Sequence, residues 1–495
     1  MKRVALTAVG LFFAVAVAVG VLALVQPAEP VYRGLTASAW FEQMRNGDSN
    51  SIAAFRSFGT NAVPFLITRL DPSSSPAERW YVLLWQKLNP AWRTKLPPPV
   101  ARDVDALMAI GLLGEMGRSA EAAVSAVCTI WVTPPPTSAA GSVVFVNVPN
   151  RVVPGSLTSI ALGTESIRYL ALHTLGAIGS HRPEPLLAMM QVAGIPGVLD
   201  WSSSQVDGVD WSQGVRATLP ELVRQSTAKS ATVRSVALGL LGGHGKSERT
   251  AVMALSRGCA DTDYYVATRA IMDLGNITAH FDLALPALIV ALAYTDPTDD
   301  SSAVIGDDIR LPSVFNWSAA ESLLLLCTRT PLIEPAIVAA LTNSLPPLRA
   351  GAAHMLGELG TVSVAARLTE LHPTEPDAAV RAHLAYAALR AGDASLFLPY
   401  IMAALTAPRE AARWSATDLL GTVGVGMPKA VAALLRVVEA EPSERVRARM
   451  VSTIAKLGEP AAVALPLLER LQSDPHYFVR SAATNAIARI RSLPR

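Results

Sequence analysis

Eight histidines are the side chains in this sequence best suited to proton transfer or metal binding: His173, His181, His244, His280, His354, His372, His383 and His476. Their spacing argues against both uses. No His-x-x-x-His or His-Glu-x-x-His pair sets two imidazoles on one helical face, so no zinc-peptidase signature is present. Cys128, Cys259 and Cys327 lie far apart and form no Cys-x-x-Cys pair, which indicates neither a zinc ribbon nor a disulfide framework. The run Gly242-Gly243-His244-Gly245-Lys246-Ser247 ends in Gly-Lys-Ser without the first glycine of a phosphate loop, and reads as a helix-ending loop. There is no Gly-x-Ser-x-Gly nucleophile elbow. The sequence therefore assigns no catalytic residue, no cofactor site and no metal ligand.

Binding chemistry has better candidates. Trp80, Tyr81, Trp85 and Trp92 interleave with Arg79, Lys87, Arg93 and Lys95. Such a mixture can stack on sugars or bases or sit at a lipid interface. The plainer reading is a helix from Pro76 to Leu88 that buries Trp80 and Leu84. Trp201 and Trp211, each preceded by aspartate among serines and glycines, anchor a surface loop or stack on carbohydrate. Candidate ligand contacts are thus Trp80, Trp85, Trp92, Trp201 and Trp211. Asp296, Asp299, Asp300, Asp307 and Asp308 offer the oxygen ligands calcium prefers, but not at EF-hand spacing, and read as a solvated acidic loop.

These residues are set in a chain of 495 with 51% hydrophobic and only 6% aromatic residues, a composition of closely packed helices. Forty-two basic residues face 40 acidic ones, too balanced to draw nucleic acid by bulk charge. Lys2 and Arg3 precede an uncharged run from Val4 to Val25. At roughly 1.5 Å per residue that run spans a hydrocarbon core of about 30 Å. Residues 1–30 are therefore expected to form a membrane anchor or signal peptide. The positive end stays cytoplasmic, which implies a single-pass inner-membrane protein with residues 31–495 periplasmic or otherwise extracytoplasmic. Cleavage and secretion is the alternative, although Ala23-Leu24-Val25 and Gln26-Pro27-Ala28 match a cleavage site imperfectly.

The remaining chain repeats itself. The pattern Val-Arg, Ala, Leu-Gly-x-x-Gly recurs at 167–179, 233–245 and 348–360, and Arg349, Arg381, Arg413, Arg447 and Arg480 are separated by 32, 32, 34 and 33 residues. That period belongs to helical solenoids. Within a copy, apolar residues fall on one helical face, as in Val446, Met450, Ile454 and Leu457. A glycine (Gly117, Gly179, Gly360, Gly392, Gly424 or Gly458) closes the face where a helix end favours positive φ. A second apolar run follows, often with proline near its start, so the unit is helix, turn, helix. The repeated arginines are expected to cross-link neighbouring repeats rather than touch a ligand.

These motifs resemble the HEAT-like repeats of the phycobilisome-lyase type, in around ten copies that cover most of residues 50–495. Tyr32-Arg33-Gly34-Leu35 with Trp40-Phe41 is similar to the opening of exported or membrane-anchored bacterial HEAT-repeat proteins of unknown function, and Trp40 and Phe41 read as a cap on the first repeat. The resemblance implies an all-α fold: an α-solenoid, a right-handed superhelix of antiparallel helix pairs. Four segments interrupt its period, near 71–102, 131–163, 191–214 and 297–312. In the second, Val143 to Val146 is expected to pair with Val152-Val153 as a hairpin. Deoxyhypusine hydroxylase, a HEAT-repeat enzyme, holds iron with His-Glu dipeptides, and none occurs here. A chromophore lyase would work in the cytoplasm, opposite to the side the N-terminal segment implies. The expected function is a non-catalytic protein–protein interaction scaffold with an unidentified protein partner. A glycan- or cell-wall-binding protein, or a lyase-like enzyme with a site between repeats, are the alternatives.

Overall fold

The computed structural model describes residues 29–70, 102–132, 143–146, 158–161, 164–194, 209–294, 304–305, 308–309, 315–360, 362–393 and 397–492. The anchor run at 4–25 and the tryptophans at 80, 85, 92 and 201 lie outside them, as does most of the acidic loop. Among the described residues no helix is long and apolar enough to cross a membrane. The chain divides into two compact units, 1–218 and 219–495.

The first unit opens with β1 (Val31–Tyr32) paired antiparallel to β2 (Leu35–Thr36), then α1 (Ala37–Arg45), α2 (Asn50–Phe58) and α3 (Val63–Leu70). Trp40 and Phe41 are buried, Trp40 Nε1 donates to the Tyr32 carbonyl at 3.0 Å, and Phe41, Phe55 and Phe65 pack edge-on or stacked. This aromatic knot closes the start of the array, as a terminal cap must. The helices α4 (Arg102–Met116), α5 (Val124–Val132), α6 (Thr164–Gly179) and α7 (Pro183–Ala193) form the next pairs. Arg45 and Arg56 pair with Asp105 and Glu115 on α4. Thr174 on α6 donates to the Ile110 carbonyl on α4 at 3.0 Å.

Between α5 and α6 a hairpin does form, but with a different second strand from the expected one. β3 (Val143–Val146) pairs antiparallel with β4 (Thr158–Ala161), Val143 opposite Ala161 and Val146 opposite Thr158. A two-residue Pro-Asn turn is thus replaced by a longer connection. The expected break at 191–214 is also narrower, because α8 (Ser212–Gln225) starts within it.

The second unit follows α8 with α9 (Ala231–His244), α10 (Arg249–Gly258), α11 (Tyr264–Leu274), α12 (Phe281–Ala291), α13 (Trp317–Cys327), α14 (Ile333–Ala340), α15 (Pro346–Leu359), α16 (Ala365–Leu371), α17 (Ala378–Arg390), α18 (Phe397–Ala404), α19 (Glu410–Val423), α20 (Pro428–Val437), α21 (Glu444–Lys456), α22 (Leu465–Leu471) and α23 (Tyr477–Arg491). Short strands β5 (Val304–Ile305) and β6 (Asp308–Ile309) pair between α12 and α13. The odd-numbered helices from α9 to α23 pack each on the next, forming a ladder of first helices, of which α9, α17, α21 and α23 carry Val-Arg; the even-numbered ones lie alongside as second helices.

Local chemistry sets these boundaries. Ser230, Asp263, Asn316, Asp377 and Ser443 cap first helices with side-chain oxygens that accept N–H groups of the first turn. Gly360 ends α15 at φ 61°, ψ 35°, a left-handed conformation that glycine adopts without a steric penalty. Gly424 departs from the expectation: its φ is −86°, and what it supplies is space, since a Cβ there would lie 2.5 Å from the Leu420 carbonyl oxygen. Small residues on the ladder let helices approach. A Cβ on Gly357 would meet the Tyr386 ring at 2.5 Å.

Candidate functional site

The repeated arginines stitch the repeats together. Arg413 donates two hydrogen bonds to Glu441 at 2.8 Å and two more to the Ala407 and Pro408 carbonyls at 2.9 Å. Arg349 does the same with Glu375 and the carbonyls of Asn343 and Ser344, and Arg234 with Asp261 and the carbonyls of Ala228 and Lys229. Arg447 reaches Asp474 at 3.1 Å and the Glu441 carbonyl at 2.6 Å. Each carboxylate sits two residues before the next first helix's N-cap and also accepts a backbone N–H there. Bidentate guanidinium–carboxylate bonds hold the Arg234, Arg349 and Arg413 pKa values above the usual arginine range. Arg381 keeps its bonds to the Glu375 and Pro376 carbonyls, while Ala407 stands where its carboxylate would be. This row is structural.

A different row on the same ladder forms a cleft of about 250 Å³ in the second unit. Trp317 on α13, His354 on α15, His383 on α17, Asp418 on α19, and Arg449 and Lys456 on α21 line it. The register explains the convergence. His354 lies nine residues after its N-cap Leu345 and His383 six after Asp377; Asp418 lies nine after Arg409 and Arg449 six after Ser443. Position nine on one first helix therefore faces position six on the next, in two places. His354 and His383 meet with ring centroids 5.4 Å apart and near-perpendicular planes, and Arg449 Nε donates to Asp418 at 2.6 Å.

The floor is aromatic and neutral. Phe315 contacts Trp317, His354 and His383 at 4.8, 5.2 and 5.3 Å, and His354 stacks on Tyr386 at 5.6 Å. Tyr386 donates its hydroxyl to Glu358, and burial with this bond raises the phenol well above its usual pKa. His383 is 1% exposed and neither ring nitrogen has a hydrogen-bond partner; His354 Nδ1 is likewise buried without one. Desolvation pushes the His354 pKa down to about 4 and that of His383 well below the ordinary imidazole value. Both are uncharged at neutral pH. Trp317, by contrast, is 44% exposed and forms a rim.

The rim at α21 is basic. Loss of hydration, then the nearby charges of Arg449 and Arg489, hold the Lys456 ammonium below the usual lysine range. Arg449 also lies over the Trp414 ring at 5.1 Å. Among the described residues no three or more metal-ligating side chains gather. The cysteines are free thiols, and burial raises those of Cys128 and Cys259 to about 12 and that of Cys327 to about 11, so none is an activated nucleophile. A smaller recess of about 210 Å³ in the first unit is lined by Arg118, Ser180, His181, Asp210 and Gln213, with His181 3.2 Å from Glu121.

Of the five tryptophans the sequence offers as ligand contacts, the described residues include Trp211 alone, and it corrects the expectation. Its side chain is fully buried and its backbone carbonyl accepts the Val215 N–H at 2.9 Å as α8 begins. The indole has become core, because it stands at the start of a helix and not in an exposed loop. A glycan-stacking face cannot include it. The cleft residues went unrecognised in the sequence because His354 and His383 carry no short-range motif. Their signal is the nine-to-six register across a 29-residue gap, readable only once the repeat boundaries are fixed.

The architecture defines the class: the described residues of each unit are predominantly repeated helix pairs. Residues 398–488 match the HEAT repeats family. The chain is similar to YibA of Escherichia coli, at 20% identity over 55% of this chain and 92% of that one with a TM-score of 0.31. It is also similar to importin beta, at 13% identity over 92% and 57% with a TM-score of 0.41. Human deoxyhypusine hydroxylase is a further neighbour, at 15% identity over 56% and 97% with a TM-score of 0.25. No curated protein matches the sequence.

Proposed function

We propose that this chain is a non-catalytic protein–protein interaction scaffold that works outside the cytoplasmic membrane. The observation that carries the scaffold reading is the exposed row along the first helices of the second unit. Tyr265 (64% exposed) and Met272 (54%) on α11, and Trp317 and Leu325 (48%) on α13, leave large apolar side chains in water beside a basic cleft. Such side chains cost about 25 cal/mol per Å² of apolar surface left in water, and these four on two adjacent first helices are the start of a recognition surface. A repeat array supplies that face without a deep catalytic pocket. The uncharged run at 4–25 supports a tether, with the solenoid periplasmic, and a tether raises the local concentration of an envelope partner. Release after cleavage would leave the same surface free in that compartment.

Affinity purification of the full chain from solubilised membranes, beside a chain lacking residues 1–30, tests this reading. The expected result is a defined protein that co-purifies with the full chain and re-forms the complex from purified components. Recovery of no protein that survives reconstitution would refute the scaffold reading, and recovery of the full chain in the soluble cytoplasmic fraction would refute its placement.

A further inference from the structure

The apolar row and the cleft are continuous along the first-helix ladder, and their chemistry changes from one end to the other. At position nine of successive first helices stand Met272, Leu325, His354, Tyr386 and Asp418. The first two are exposed apolar groups, the next two the aromatic floor, and the last lies beside Arg449 and Lys456. At that basic end three cations, Arg449, Lys456 and Arg489, stand against one carboxylate, Asp418, and Arg449 alone is bonded to it. Within the cleft His383 is 99% removed from solvent, with two ring nitrogens that no protein group satisfies. A buried polar group of that kind costs free energy unless a partner is supplied.

We infer that this strip binds an acidic peptide segment of the partner protein, apolar side chains against Met272, Leu325 and Trp317 and carboxylates against Lys456 and Arg489, with a ligand polar atom at the His383 imidazole. The inference rests on the scaffold reading and names the partner's chemistry at that same surface. Charge complementarity selects the occupant. A basic segment would bring like charges together, and an apolar one would leave Lys456 and Arg489 desolvated without a counter-charge. The length fits a peptide: from Met272 on α11 to Arg489 on α23 are six helix-to-helix steps, about 54 Å at 8–10 Å each, which roughly sixteen extended residues span.

The test uses the full chain and a fluorescein-labelled peptide of about sixteen residues, glutamate and glycine with two leucines at one end, made in both orientations, beside the glutamine counterpart. Anisotropy titration should show binding of at least one glutamate peptide and weakening of about tenfold or more in Lys456→Glu, an exposed position whose change leaves the core untouched. Lys429→Glu, equally exposed but on the second helix α20, should change affinity less than about twofold. His383→Phe, which keeps an aromatic side chain and removes the nitrogens, should weaken binding about threefold without lowering the melting temperature at pH 7.5. Equal weakening by Lys429→Glu and Lys456→Glu, or equal binding of the glutamine peptide, would overturn the inference. So would displacement by free succinate at the peptide's own concentration, which would assign the cleft to small dicarboxylates. If a reconstituted partner binds Lys456→Glu as tightly as the unaltered chain, the strip is wrong and the scaffold reading stands. If no partner is recovered by either chain, it is the scaffold reading that falls.

Discussion

Removing Glu441 should cost far more than removing Glu439, although each accepts a hydrogen bond from an arginine of a neighbouring repeat at 2.8 Å. The two pairs differ in burial: the side chains of Arg413 and Glu441 are 10% and 2% exposed, those of Arg470 and Glu439 61% and 56%. At a charge separation of about 4 Å and an effective dielectric near 20, the attraction is about 4 kcal/mol. Glu441→Ala removes it, leaves the Arg413 guanidinium hydrogen-bonded to the Ala407 and Pro408 carbonyls with Glu410 as its remaining nearby carboxylate, and strips an acceptor from the Ser443 N–H. The expected loss is about 3–5 kcal/mol. Glu439→Ala, screened by water, should lose less than about 1 kcal/mol. Because a repeat array unfolds interface by interface, hydrogen exchange read by mass spectrometry suits better than a single midpoint. Protection should fall in α19 and α21 of Glu441→Ala and remain in α9 and α11. Equal losses for the two variants, or a uniform loss along the chain, would refute the idea that buried arginine pairs are the inter-repeat fasteners.

Three further outcomes follow from the same geometry. His354 and His383 have lowered pKa values when folded, so the unfolded chain binds protons that the folded one does not; stability should be complete above pH 6.5 and fall as pH drops toward 4, by about 1.4 kcal/mol per pH unit for each histidine. Urea titrations at pH 7.5, 5.5 and 4.5 check this, and His383→Phe should flatten the dependence; a parallel fall in both chains would contradict it. Gly360→Ala, at a positive φ, should cost about 1 kcal/mol while Gly243→Ala, with open space around its Cβ and no positive φ, should be near neutral, as thermal melts would show. Trp211→Ala should cost about 3–5 kcal/mol as a core truncation, read in the exchange of α7 and α8, and a variant of full stability that loses polysaccharide retention would contradict its burial.

What the sequence made legible followed from local periodicity. The arginine spacing of 32–34 residues and the four-place apolar stripe identify the helix pairs, and Val446, Met450, Ile454 and Leu457 are all fully buried. The arginines' cross-linking role was readable too. Their partners were not, because each carboxylate lies 26–28 residues downstream in a loop, as either Asp or Glu, and at Ala407 it is missing. Gly424 shows a limit of motif logic: the same glycine place serves positive φ in one repeat and close packing in another. The cleft was invisible for a deeper reason. Its members come from five helices, and contact between position nine and position six depends on the stagger of adjacent helices, which no residue encodes alone. For Trp211 the anchoring role was legible and the ligand-contact role was wrong: serine- and glycine-rich neighbours suggested a loop, whereas Ser212 opens a helix with the indole buried at its base.

The central claim, that the first-helix ladder of the second unit is a recognition surface, is tested most directly by site-specific photo-crosslinking of the full chain in native membranes. A photoreactive side chain at Thr422, exposed beside the cleft, should give a discrete adduct with one protein, and the same group at Lys429 on α20 should not. The adduct should disappear when Lys456→Glu is introduced. Adducts of equal yield from both positions, or none from Thr422 while the chain remains folded and membrane-bound, would contradict the account.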